Sequence, residues 1–187
     1  MKTPASTLEF AILGLLSRQP QSGYDLRKAF ATNLRYYSDS PGSVYPALRR
    51  LEARRRIAVA DPPRRKANSR GRQTFRLTDS GKAALVAWLE QPAGEDASRN
   101  LSELMLRFAF MDLNVPRSTT LRFLNELGDA LAARAKELRQ RYAAMSSRMK
   151  VNTGLLSFEA WIVSVEGYVR WARRAHGRLS GKSQRVS

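Results

Sequence analysis

The chain has 187 residues with 33 Lys and Arg against 16 Asp and Glu, a formal charge of +17 and an isoelectric point near 11.2. Such an excess calls for a polyanionic partner, with nucleic acid first and an anionic membrane surface second. With no cysteine and one histidine, His176, the composition leaves out disulfides, thiolate metal sites and cysteine nucleophiles.

Leu8 to Ser17 is apolar apart from Glu9 and predicts a buried helix. It is too short to span a membrane and carries no small-residue cleavage site, so a cytosolic, reducing setting is the default. Gln19 to Gly23 breaks it, and Ser22 caps a second helix from about Gly23 to Asn33, with Leu26, Phe30 and Leu34 on its core face. A third helix is predicted from Ser40, a capping residue with Pro41 at the first helical position. There Val44, Leu48 and Leu51 recur at helical spacing, while Pro46, Arg49 and Ala53 lie opposite, flanked by Tyr45 and Arg50. One apolar face and one small, polar, cationic face suit a helix that enters a DNA major groove.

Ile57–Ala60 and Gln73–Leu77 have strand length and strand composition, and the turn-rich stretch between them predicts a hairpin. Nine basic residues and one acid, Asp61, lie between Arg54 and Arg76, so the hairpin loop is strongly cationic. Thr78 to Gly81 caps a fourth helix bearing Ala84, Leu85, Trp88 and Leu89. The order helix, helix, helix, strand, loop, strand, helix is that of a winged helix-turn-helix.

A polar interval, residues 91–100, reads as a linker to an all-helical remainder over residues 101–176, followed by a basic tail, 177–187, expected to be disordered. Leu101 to Met111 predicts one amphipathic helix. The next carries Leu121, Leu124, Gly128, Leu131, Ala135, Leu138, Tyr142, Met145 and Met149 at three-four spacing, a seam like that of a coiled coil. That seam is either a dimer interface or a core stripe within one chain. Asn152–Gly154 turns the chain into a last helix with Phe158, Trp161, Tyr168 and Trp171, which form either a core stripe or a pocket for a small aromatic effector.

The first ninety residues resemble the PadR family of bacterial transcriptional regulators. The resemblance rests on Leu13-Gly14-Leu15-Leu16, Ser22-Gly23-Tyr24-Asp25-Leu26, the run from Ser40 to Glu52, and the run from Gly71 to Gly81, in order and at the family's spacing. It implies a winged helix-turn-helix with a C-terminal helical dimerisation domain, mainly α, bound to double-stranded DNA as a homodimer on a pseudo-palindromic operator. It further implies that Ser43 and Tyr45 face DNA and that the wing around Gly71 and Arg72 grips backbone or minor groove. The chemistry of the residues assigns base contacts to Arg49 or Arg50 and phosphate contacts to Arg64, Arg65, Lys66, Arg70 and Arg72, with Ser40 at the head of the same helix. Where the family has a glycine after the third helix, this chain has Arg54-Arg55-Arg56, so a left-handed exit there would be strained.

The expected function is sequence-specific regulation by a cytoplasmic, nucleoid-associated protein that needs no cofactor and no membrane. Repression is favoured over activation, and a non-specific architectural or RNA-binding role is the alternative. Nothing in the chain assembles an enzyme: no activating histidine lies near Ser40 or Ser43, and Gly71 and Gly81 are isolated.

Overall fold

The computed structural model describes residues 6–32, 43–60, 73–93, 97 and 100–181. Among them are seven helices and one three-stranded sheet. The chain divides into two compact units, Met1–Gln91 with Met105–Pro116, and Pro92–Leu104 with Arg117–Ser187.

In the first unit α1 (Thr7–Leu16), α2 (Gly23–Thr32) and α3 (Val44–Ala53) are followed by β2 (Ile57–Val59), β3 (Thr74–Leu77) and α4 (Asp79–Leu89). This is a winged helix-turn-helix. The apolar faces read from periodicity are the buried ones: Leu26, Phe30, Val44, Leu48, Leu51, Leu85 and Leu89 are all at most 2% exposed. Each such side chain contributes roughly 1.5–3 kcal/mol by leaving water. Ser22 caps α2 in a reciprocal arrangement, its hydroxyl accepting from the Asp25 N–H at 3.2 Å and donating to Asp25 Oδ2 at 2.6 Å. Leu34 lies outside the described residues.

The sheet holds one strand that the sequence pattern does not announce. β1 is only Gln21–Ser22, pairing antiparallel with β3 through Gln21↔Phe75 and Ser22↔Thr74. β3 is the central strand, with β2 on its other side in the register Ile57↔Leu77 and Val59↔Phe75. Two residues are too few for a period-two signal.

Both ends of the third helix are informative. The described part of the third helix runs from Val44 with Ser43 at its N-cap, which places Pro46 in the first turn. The N–H groups of a first turn have no partner inside the helix, so Pro46 sacrifices no hydrogen bond there. The helix then ends on two bonds, Arg55 N–H to Glu52 O at 2.8 Å and Arg56 N–H to Leu51 O at 2.9 Å. This is a Schellman motif, whose pivot residue must be left-handed. That residue is Arg55, with φ +55.

Side chains adopt this conformation at a cost of about 1 kcal/mol, which glycine avoids. Arg55→Gly is therefore expected to raise the melting temperature of the winged unit by about 4 °C, read by the thermal shift of near-UV circular dichroism. No gain would mean that the Arg55 side chain makes good the strain.

Residues 105–116, which the sequence reading places with the C-terminal helices, belong to the first unit. α5 (Leu101–Met111) brings the Phe110 ring to 2.5 Å from where a Cβ on Gly14 would lie. Asn114 Nδ2 donates to Ser17 Oγ at 3.0 Å, and the buried Arg107 guanidinium donates to the Leu89 carbonyl at 3.2 Å. The polar interval alone does not mark the boundary, because Phe110 of α5 packs against Gly14 of α1.

The second unit is a helical hairpin of α6 (Arg117–Ser146) and α7 (Thr153–Leu179). Asn152 caps α7, its Oδ1 accepting from the N–H groups of Gly154 and Leu155. The interior is aliphatic: Leu124, Leu127, Leu131 and Leu138 from α6, and Leu155, Ile162, Val165 and Ala172 from α7, none more than 3% exposed. Arg139 bridges to Glu166 at 2.5 Å across the two helices. Its hydrogen bond holds the Glu166 carboxyl below the usual carboxylate range.

Candidate nucleic-acid interface

The outer face of α3 carries Tyr45, Arg49 and Glu52, all exposed, with Tyr45 48% open to solvent. They project because Val44, Ala47, Leu48 and Leu51 hold the opposite face in the core. Beside them lies a recess of about 300 Å³, whose walls include Ser22, Gly23, Tyr24, Tyr45, Arg49 and Gln73. Gly23 permits it: a Cβ there would come within 2.8 Å of the Tyr45 ring. The Arg27 guanidinium sits 5.6 Å from the centroid of the Tyr24 ring, adding a cation on α2.

Such a surface offers the Arg49 fork to guanine O6 and N7, the Glu52 carboxylate to the cytosine amino group, and tyrosine hydroxyls to either base or phosphate. A carboxylate in contact with DNA repels phosphates unless a base amino group answers it.

The expected DNA-facing residues fall into three groups. Tyr45 and Arg49 are exposed together on α3, and Ser43 lies half-buried at its N-cap without a capping hydrogen bond. Arg50, named with Arg49 as a base reader, is exposed as well. It stands about 100° around the helix from Arg49, and its Nε bonds Glu9 Oε1 at 2.6 Å. Ser40, Arg64, Arg65, Lys66, Arg70 and Arg72 lie outside the described residues.

Glu9 is the residue that sequence reasoning passed over. It is 1% exposed on α1, and its second oxygen takes Arg54 Nη1 at 2.7 Å. An acid inside an apolar run was its signal, since a buried carboxylate demands a cation. Tyr24, Glu52 and Gln73 were missed as well, and only their convergence on the recess marks them.

The seam of the long helix also requires a correction. Leu124, Leu131 and Leu138, expected at a dimer interface, are at most 1% exposed and are buried by α7 of their own chain. Leu121 and Tyr142 are half-buried, and Met145 is 42% exposed. Gly128 faces α7, where a Cβ on it would meet the Ala172 Cβ at an ordinary 3.7 Å.

The four aromatics of the last helix lie beside the aliphatic core stripe rather than in it. Phe158 meets Tyr142 and Trp161 at centroid distances of 6.2 and 6.1 Å, and the Arg134 guanidinium lies 5.4 Å from the Trp161 centroid. Trp161 and Tyr168 are 40% and 37% exposed, and Trp171 is half-buried.

Among the described residues no three of His, Asp and Glu gather to hold a metal ion, and no helix is long and apolar enough to cross a membrane.

Comparison with known proteins points in one direction. Residues 12–87 match the model of the transcriptional regulator PadR-like family. The negative transcriptional regulator PadR of Bacillus subtilis (strain 168) is 33% identical over 107 residues, so the chain spans only 56% of that relative, with 56% of its own length. Among solved structures, Bacillus subtilis PadR in complex with operator DNA is similar at 24% identity, covering 93% of this chain and 99% of that one with a TM-score of 0.43. The same protein in complex with p-coumaric acid is 25% identical, covering 96% and 99% with a TM-score of 0.41.

Proposed function

We propose that this chain, which belongs to the PadR-like family of transcriptional regulators, is a sequence-specific DNA-binding repressor that works as a homodimer in the cytoplasm. It is a regulator and not an enzyme. One observation carries the reading: α3 presents Tyr45, Arg49 and Glu52 outward while its other face is locked into the core. A helix so held can enter the major groove and offer a donor fork and an acceptor to base edges. The chain-wide charge of +17 supplies attraction to phosphate, to which Arg64, Arg65, Lys66, Arg70 and Arg72 of the wing are assigned along with Ser40 and Ser43 beside the recognition helix.

Because Leu124, Leu131 and Leu138 are spent inside the hairpin, the dimer interface is assigned to apolar groups left outside it. Met145, Leu156, Trp161 and Val163 are 40–54% exposed on α6 and α7. The half-buried Leu121 and Tyr142 would extend that surface. The cluster of Phe158 and Trp161, with Tyr168 and Trp171 further along α7, is the candidate site for a small aromatic effector. Such a ligand would act by binding one dimer geometry better than another.

Repression would follow from a dimer occupying a promoter and excluding polymerase. The test is anisotropy titration of a duplex that the protein itself enriches from a random pool, against a scrambled duplex of equal length. A dimer that neutralises six to ten phosphates is expected to lose roughly 10³–10⁵ in affinity between about 50 and 200 mM salt, while keeping its preference for the enriched sequence. Equal affinity for both duplexes at every salt concentration would reduce the chain to a non-specific architectural binder.

A further inference from the structure

The DNA-binding reading makes a recognition helix out of α3, and it leaves unexplained why Arg50 on that helix and Arg54 at its C-cap are both tied to one buried acid. We infer that Glu9 is a positioning residue for sequence reading, which withholds Arg50 and Arg54 from DNA and fixes the rotation of the recognition helix so that Arg49 alone faces the bases. This inference rests on the function proposed above.

Glu9 sits on α1, 1% exposed, with each carboxylate oxygen committed to a different guanidinium: Oε1 to Arg50 Nε at 2.6 Å and Oε2 to Arg54 Nη1 at 2.7 Å. A carboxylate so far from water is costly unless paired, and apolar residues often stabilise a core better than an ion pair does. The arrangement is therefore poorly explained as a source of stability. Its geometry does explain something else.

Arg50 and Arg54 are one helical turn apart, so one anion grips the back of α3 at two points. Two points of attachment add to the hold that the buried Val44, Ala47, Leu48 and Leu51 give on the rotation of the helix. Neighbouring residues on a helix differ by about 100°, and holding Arg50 and Arg54 against α1 turns Arg49 outward with Tyr45 and Glu52. A roll of half that angle would bring Arg50 into the groove and carry Arg49 toward its wall.

The charge balance points the same way. Arg50 is held only at its inner edge, its side chain being 48% exposed. Without Glu9 it would be a mobile cation beside the DNA, free to swing to the nearest phosphate. Phosphate contacts attract without regard to sequence. Glu9 therefore lowers indiscriminate affinity and preserves discrimination, an unusual task for an acid buried inside a strongly basic protein.

The experiment uses the full chain, the duplex enriched by the wild type from a random pool, and a scrambled duplex of the same length, titrated from about 50 to 200 mM salt. Near-UV circular dichroism of Trp88, whose ring stacks on Phe10 at 4.7 Å, confirms folding of the unit concerned. Glu9→Gln is expected to bind the scrambled duplex more tightly, with a salt slope steeper by about one, and to lose about tenfold or more in the ratio of enriched to scrambled affinity. Glu9→Asp, which keeps the charge, is expected to recover most of that ratio. Arg50→Ala is expected to leave the ratio within about threefold of wild type, because a withheld side chain reads nothing; Arg49→Ala should weaken binding to the enriched duplex about 5- to 150-fold.

A folded Glu9→Gln variant with the wild-type ratio and slope would overturn the inference. So would an Arg50→Ala variant whose discrimination collapses, and that result decides the matter even if Glu9→Gln fails to fold. If the wild type enriches no sequence at all, the proposed function itself fails and this inference falls with it.

Discussion

Gly81→Ala is expected to destabilise the winged unit by about 3 kcal/mol and to abolish DNA binding, because a single methyl group has nowhere to go. A Cβ at position 81 would overlap the carbonyl oxygen of Arg56 and lie 2.9 Å from its carbon. The obstacle is backbone, so no side-chain rotation relieves it. The first turn of α4 is docked onto the exit of the recognition helix: Thr78 Oγ1 donates to Arg55 O at 2.7 Å, and the Thr78 N–H donates to Arg56 O at 3.2 Å. Thr78 Oγ1 in turn accepts from the Gly81 N–H at 3.1 Å, which caps the helix. Pushing α4 outward breaks the two bonds from Thr78 and frees the left-handed corner on which α3 ends. Urea unfolding followed at Trp88 measures the loss; an unchanged midpoint would show that α4 can retreat without disturbing α3.

Leu131→Asp is expected to open the helical hairpin entirely. Leu131 is 0% exposed. Its truncation alone costs about 2–5 kcal/mol in lost burial and cavity, and the carboxylate adds a desolvation penalty of several more. That sum matches or exceeds the stability of a typical domain. Far-UV circular dichroism should lose the signal of two long helices, while the near-UV signal of Trp88 persists, since each unit has its own core.

Val163→Asp supplies the contrast. Val163 is 54% exposed, so the hairpin should stay folded and, if the outer face of α7 pairs two copies, sedimentation should show monomers. A Leu131→Asp protein with full helicity would mean that the seam is not the core of this hairpin. A dimeric Val163→Asp protein would move the interface elsewhere.

Much of this was legible one element at a time. Val44, Leu48 and Leu51 announced both the third helix and which face it buries, because burial imposes a period of 3.6 residues on apolar positions. Thr78 to Gly81 announced the start of α4 because cap chemistry is local. The missing glycine after the third helix announced strain, and it is found at Arg55. The same local logic could not count partners. Leu124, Leu131 and Leu138 form a seam whether they meet a second copy or a second helix of the same chain, since an apolar stripe states that it needs cover and not whose.

Arg49 and Arg50 show the limit most directly. As adjacent arginines on a basic helix they are chemically equivalent, and both suit guanine. What separates them is Glu9, 41 and 45 residues distant from Arg50 and Arg54 in the chain and in contact with both in the fold. By itself the sequence determined what depends on near neighbours: the helices, the caps of α2 and α4, the paired strands β2 and β3, the winged helix-turn-helix order and the pull toward a polyanion. Only the tertiary structure decided which arginine is tied to Glu9, that the seam closes within one chain and that residues 105–116 join the first unit. Those outcomes depend on contacts between distant residues, and periodicity carries no information about which of several chemically suitable partners the chain brings within reach.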